Sequence, residues 1–130
     1  MGSSVEISFR LHRWQRICKT ADFVAFRRVR LRHRDIGFSI ATKYTSTVHG
    51  AARLAVITSR KTGNAVRRNA LRRMVREIFR HEQGNFHIHS DWMVQFFPES
   101  KEISLQKLRQ SLQLRWQMLA DQWRHIGPPS

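Results

Sequence analysis

The chain has 130 residues, with 24 Lys or Arg against 9 Asp or Glu, a formal charge of +15. Hydrophobic residues make up 41% of it, enough for one core and too many for a disordered basic tail. At this length a single domain is expected; no run approaches the roughly 18 apolar residues of a membrane helix, and one cysteine, Cys18, excludes an internal disulfide framework.

The opening Met1-Gly2-Ser3-Ser4-Val5-Glu6 lacks the apolar centre of a signal peptide. With the lone thiol, this leads us to expect a cytoplasmic protein. Residues 1–15 show no period and are expected to form a flexible basic N-terminus, with one folded domain over 16–124 and a tail over 125–130. Thr20 offers a helix N-cap with Asp22 in the first turn. Phe23 and Phe26 then share one side of a short helix ending near Arg28. A short strand near Val29–Arg32 is weakly signalled. From Ile36 to Thr42 the pattern alternates, which predicts a strand with Ile36, Phe38 and Ile40 on one face and Gly37, Ser39 and Ala41 on the other. Val48-His49-Gly50 reads as a turn, and Arg53 to Thr58 as a second strand.

Next comes a helix from about Ala65 to Glu82. Its expected buried arc is Ala70, Leu71, Met74, Val75 and Ile78, with Phe79 at the boundary. Arg68, Asn69, Arg72, Arg73, Arg76 and Arg80 are expected on the opposite arc. Gly84-Asn85 ends this helix, Trp92 to Phe97 is a further strand stopped by Pro98, and a last helix runs from about Ser104 to Trp123. Its stripe is Leu105, Leu108, Leu112, Trp116, Leu119 and Trp123. The order predicts an α+β fold with helices on one face of a small sheet.

The charge is concentrated. Residues 10–34 hold nine basic residues and one acid, residues 53–80 nine and one, and the remainder six basic and seven acidic. Adjacent arginines at i, i+4 repel one another, so an arc of this sign suits an anion lattice such as a phosphate backbone. Arginine also stacks on bases and meets phosphates in a bidentate fork. A plain solvated face and a DNA-binding helix are the competing readings, but no helix-turn-helix precedes this helix. A nuclease site of the chain's own would need paired carboxylates or a His pair. The acids are scattered, with Asp91 after a loop; His87 and His89 alternate on a loop and are read as loop polarity. No catalytic residue and no protein metal site is expected.

The run Arg60-Lys61-Thr62-Gly63-Asn64-Ala65-Val66-Arg67-Arg68-Asn69, followed by Arg72-Arg73, Arg76-Glu77 and Phe79-Arg80, resembles the signature of the bacterial ribonuclease P protein family. That signature reads K-x-G-N-A-V-x-R-N-x-x-K-R-x-x-R-E-x-F-R. Arg72 stands where the family usually has Lys. Arg16-Ile17-Cys18-Lys19-Thr20-Ala21-Asp22-Phe23 resembles the family's opening, although the second aromatic, Phe26, follows after three residues where many members have four.

The resemblance covers about residues 13–120 and implies an α-βββ-α-β-α order. A four-stranded sheet would pack with three helices around a left-handed β-α-β crossover, as in certain ribosomal proteins. It implies a subunit that binds a catalytic RNA and helps it remove the 5′ leader of precursor tRNA. Mg²⁺ would be bound mainly by the RNA and not tightly by the protein. Arg60, Lys61, Asn64, Arg67, Arg68, Asn69, Arg72, Arg73, Arg76 and Arg80 would contact the catalytic RNA. Arg16, Phe23, Phe26, Arg27, Ser39 and Thr58 would contact the leader, with Ser39, Ala41 and Thr58 as a floor of small residues. Phe23 and Phe26 are equally well read as core. A monomer bound 1:1 to the ribonuclease P RNA is expected, with precursor tRNA as second partner and neither DNA nor membrane as a ligand. A structural ribosomal-RNA-binding protein is the alternative.

Overall fold

The computed structural model describes residues 31–44, 52–82 and 90–126. They form β1 (Leu31–Asp35), β2 (Phe38–Tyr44), β3 (Arg53–Ile57), α1 (Ala65–Glu82), β4 (Ser90–Phe96) and α2 (Leu105–Ile126). Short 3-10 turns at Arg60–Thr62 and Pro98–Glu102 precede the two helices. The sheet order is β1-β2-β4-β3. The β1/β2 and β2/β4 pairs are antiparallel, whereas β3 and β4 are parallel. Parallel neighbours need a crossover, and α1 supplies it. This is the expected α+β architecture with a four-stranded sheet and two helices among the described residues. The predicted first helix, with Cys18, lies outside them, as do the Val48-His49-Gly50 turn, His87 and His89.

Alternation along the strands sends Phe38, Ile40, Leu54, Trp92, Val94 and Phe96 to one face, where they meet Leu71, Val75, Ile78 and Phe79 of α1 and Leu108, Leu112, Trp116 and Leu119 of α2. Trp116 is the centre of this core. Its ring stacks on Trp92 at 5.7 Å between centroids and meets Phe79 at 6.1 Å. The buried Trp123 Nε1–H donates to Thr42 Oγ1 at 2.9 Å, and Trp92 Nε1–H to Ser90 Oγ at 2.9 Å, so neither indole is left unpaired in the core.

Four expectations change. Ile36 is not a core residue: it sits 72% exposed in the β1/β2 turn, and β2 starts only at Phe38. Gly37 takes φ +88° there, which ends the alternation that runs through the turn in sequence. The weakly signalled strand is real but lies later, at Leu31–Asp35. Phe79 is fully buried, because Trp116 offers an aromatic surface that α1's own sequence does not reveal. Leu105, assigned to the α2 stripe, is 36% exposed at the helix start.

Candidate nucleic-acid interface

The start of α1 explains part of the motif as architecture. Gly63 has φ +142°, and a Cβ there would lie 2.6 Å from Arg67 Cγ. Asn64 caps the helix: its Oδ1 accepts the Arg67 N–H at 2.9 Å, and its carbonyl accepts the Arg68 N–H at 2.9 Å. Arg67 in turn donates from Nη2 to the Ser100 carbonyl at 2.9 Å and to the Ile103 carbonyl, tying α1 to the turn before α2. One end of the Arg67 guanidinium is therefore engaged within the fold.

Farther along, the buried arc is Leu71, Met74, Val75, Ile78 and Phe79. At about 100° per residue it spans roughly 140° and is turned by about 40° from the predicted arc. Asn69 and Arg73 are exposed on the outer side, with Arg76 and Arg80 half-buried beside them. Arg68 is the exception to the expected arc. It falls in line with Val75 and Phe79, is half-buried, and its Nε is buried without a hydrogen-bond partner. Arg72 donates to Asn69 Oδ1 at 3.1 Å and to Thr58 Oγ1 at 2.9 Å. Thr58, read as a leader contact, is thereby joined to the arginine helix. Arg60 and Lys61 are exposed in the 3-10 turn ahead of it.

The other sheet face carries the second candidate group. Ser39 pairs in register with Gln95, and Ala41 with Met93, which also pairs with Ala55. Ala41, Ala55 and Met93 form a small cluster with Ile57 packed against it. Ser39 and Ala41 are therefore small residues on the face opposite the helices, as read from the alternation, and both are buried. Arg16, Phe23, Phe26 and Arg27 lie outside the described residues.

Sequence reasoning missed three pairings on these surfaces. Asp91, read as following a loop, lies in β4 and is fully buried. It accepts from Arg53 Nε at 2.9 Å, Arg53 Nη2 at 2.7 Å and Lys43 Nζ at 3.1 Å. The register places all three side by side on β3, β4 and β2. The Arg34 guanidinium carbon sits over the Phe97 ring, 3.9 Å from its centroid, and Arg34 reaches Glu99 at 3.2 Å. Arg109 meets Glu77 at 2.6 Å across α1 and α2. The partners are tens of residues apart, so no local pattern signals them.

Asp35 holds the β1/β2 turn. Its Oδ1 accepts the Ile36 N–H at 2.7 Å, and Arg115 of α2 reaches its Oδ2 at 3.1 Å. The Ile36 N–H, aided by Arg115, holds this carboxyl below its ordinary range despite partial burial, which acts the other way. Among the described residues no group of three or more His, Cys, Asp or Glu comes together to hold a metal ion, and Asp91 is already engaged by two cations. No helix among them is long and apolar enough to cross a membrane.

The arrangement offers an arginine-bearing helix face and a cation-lined sheet face, both suited to phosphate contact. A family model described as Ribonuclease P matches residues 11–120. The "Ribonuclease P protein component" of Geotalea uraniireducens is 32% identical over 78 residues, covering 60% of this chain and 67% of that protein. The chain is also similar to the solved RNase P protein of Staphylococcus aureus, with a TM-score of 0.71, 26% identity, and coverage of 80% of this chain and 94% of that one. For the RNase P protein of Thermotoga maritima the TM-score is 0.64 at 25% identity, covering 82% and 96%.

Proposed function

The chain belongs to the ribonuclease P protein family, and from that membership we propose that it binds the catalytic RNA of a ribonuclease P holoenzyme and the 5′ leader of its precursor tRNA. The observation that carries this reading is the outer face of α1. The helix holds six arginines against two acids, and Leu71, Met74, Val75, Ile78 and Phe79 are turned to the core. Phosphates spaced along an RNA strand match such a face, and each contact releases counterions. Asn69, exposed among the arginines, adds a donor and an acceptor for a sugar hydroxyl or base edge.

In this reading the RNA carries out phosphodiester hydrolysis and binds most of the Mg²⁺. The chain's residues bind and orient. Arg68, Asn69, Arg72, Arg73, Arg76 and Arg80 hold the catalytic RNA, with Arg60 and Lys61 extending that contact. Asn64 and Arg67 contribute by fixing the helix start. Ser39 and Thr58 belong to the leader side, together with Arg16, Phe23, Phe26 and Arg27. Bases stacked on aromatics are worth about 1–3 kcal/mol each, a scale suited to holding a single-stranded leader. We further propose one protein per RNA, a cytoplasmic setting, and no role for DNA or membranes. The ribosomal alternative is set aside by the family match over residues 11–120.

The test is reconstitution. Purified chain added to a bacterial ribonuclease P RNA and precursor tRNA at low Mg²⁺ should increase leader removal, while the chain alone should cut nothing. No stimulation contradicts the proposal. Cleavage by the protein without RNA would contradict the division of labour.

A further inference from the structure

A groove of about 320 Å³ runs between α1 and the start of α2. That is within the size range of small-ligand sites, about 300–1,000 Å³. Its floor is Ala70, Met74 and Leu105, and its rim is Arg73 and Gln106. One end is closed by the Glu77–Arg109 pair at 2.6 Å. Leu105 is 36% exposed and Ala70 is only partly buried, so apolar surface faces solvent beside a cationic helix face.

We propose that this groove takes up one unstacked nucleotide of the ribonuclease P RNA, its base on the Ala70–Met74–Leu105 floor and its phosphate at Arg73. Three observations select this occupant. The lining carries two arginines and one glutamate, and that glutamate is already engaged by Arg109, so the free charge at the rim is positive. Arg73 also belongs to the exposed side of α1, so a strand tracking that face passes the groove mouth. Gln106 offers an amide with both donor and acceptor, which suits a base edge. Proteins read RNA largely through bases splayed out of the stack onto such platforms. The inference rests on the proposed binding of the catalytic RNA to α1 and adds a defined nucleotide site to it.

The test compares wild-type chain with Ala70→Trp, which fills the groove, and Gln106→Glu, which leaves it open but places a negative charge at its mouth. Affinity for a bacterial ribonuclease P RNA is measured across a salt series, with 2′-hydroxyl acylation mapping of the RNA in each complex. Ala70→Trp should weaken binding about 10-fold, or about 1.4 kcal/mol, with a salt slope like that of wild type. It should also restore reactivity at one unpaired nucleotide that the wild type protects. Gln106→Glu should weaken binding several-fold and expose the same nucleotide. Thermal melts identify a variant that fails to fold, and the other variant then decides. Wild-type affinity and mapping in the folded variants overturn the proposal and leave a protein segment as the groove's occupant. If the wild-type chain does not bind this RNA, the reading of α1 fails and the groove assignment falls with it.

Discussion

Asp91 shows how one buried charge can order a sheet. Its carboxylate is fully buried, and Arg53 and Lys43 reach it from the neighbouring strands on either side. Removing one member of such a buried cluster typically costs about 3–5 kcal/mol. Asp91→Ala should therefore lower the urea midpoint strongly without changing the transition slope, a loss near 1 kcal/mol being too small for this account. Asp35 acts at the surface and adds a pH signature. Its folded pKa lies below the unfolded value of 3.8, because the Ile36 N–H and Arg115 favour the ionised form. That stability is complete above about 3.8 and disappears as pH falls through the lower folded value. Wild type should exceed Asp35→Asn in chemical stability at pH 6, and the gap should close at more acidic pH. A gap that is constant with pH would rule out the ionised carboxylate as its source.

Elements were legible where a local period decided them and obscured where a distant partner did. The bounds of α1 follow from its sequence, since Gly63 and Asn64 start the helix by rules local to the chain. Its rotation does not, because Trp116 draws Phe79 inward from more than thirty residues away. The β1/β2 turn hid for a similar reason: Ile36 continues the alternation, and only the positive φ of Gly37 and the Asp35 bond to the Ile36 N–H reveal a bend. The candidate site divides in the same way. The motif identified the arginines, but not that Arg67 is bonded to Ser100 and Ile103. Arg67→Ala should thus reduce thermal stability while leaving the salt slope of RNA binding close to wild type. A reduced slope with an unchanged melting temperature would make Arg67 a phosphate contact instead.

At the scale of the whole molecule, the charge of +15 resolves into two basic segments on a nearly neutral remainder. The fold turns much of the second segment into the outer side of α1 and directs Arg32 and Arg34 of the first to the sheet face opposite the helices. Burial of one acid, Asp91, under two cations removes the best candidate for a carboxylate site from the solvent side of that face. The most direct measurement of the central claim is the affinity of the full chain for a bacterial ribonuclease P RNA as a function of salt. Wild type is to be compared with Arg73→Ala/Arg80→Ala. The account predicts a slope of log affinity against log salt that is shallower by about 1 per arginine removed, with the fold intact by circular dichroism. An unchanged slope in the folded double variant would place these arginines away from phosphate and contradict the account.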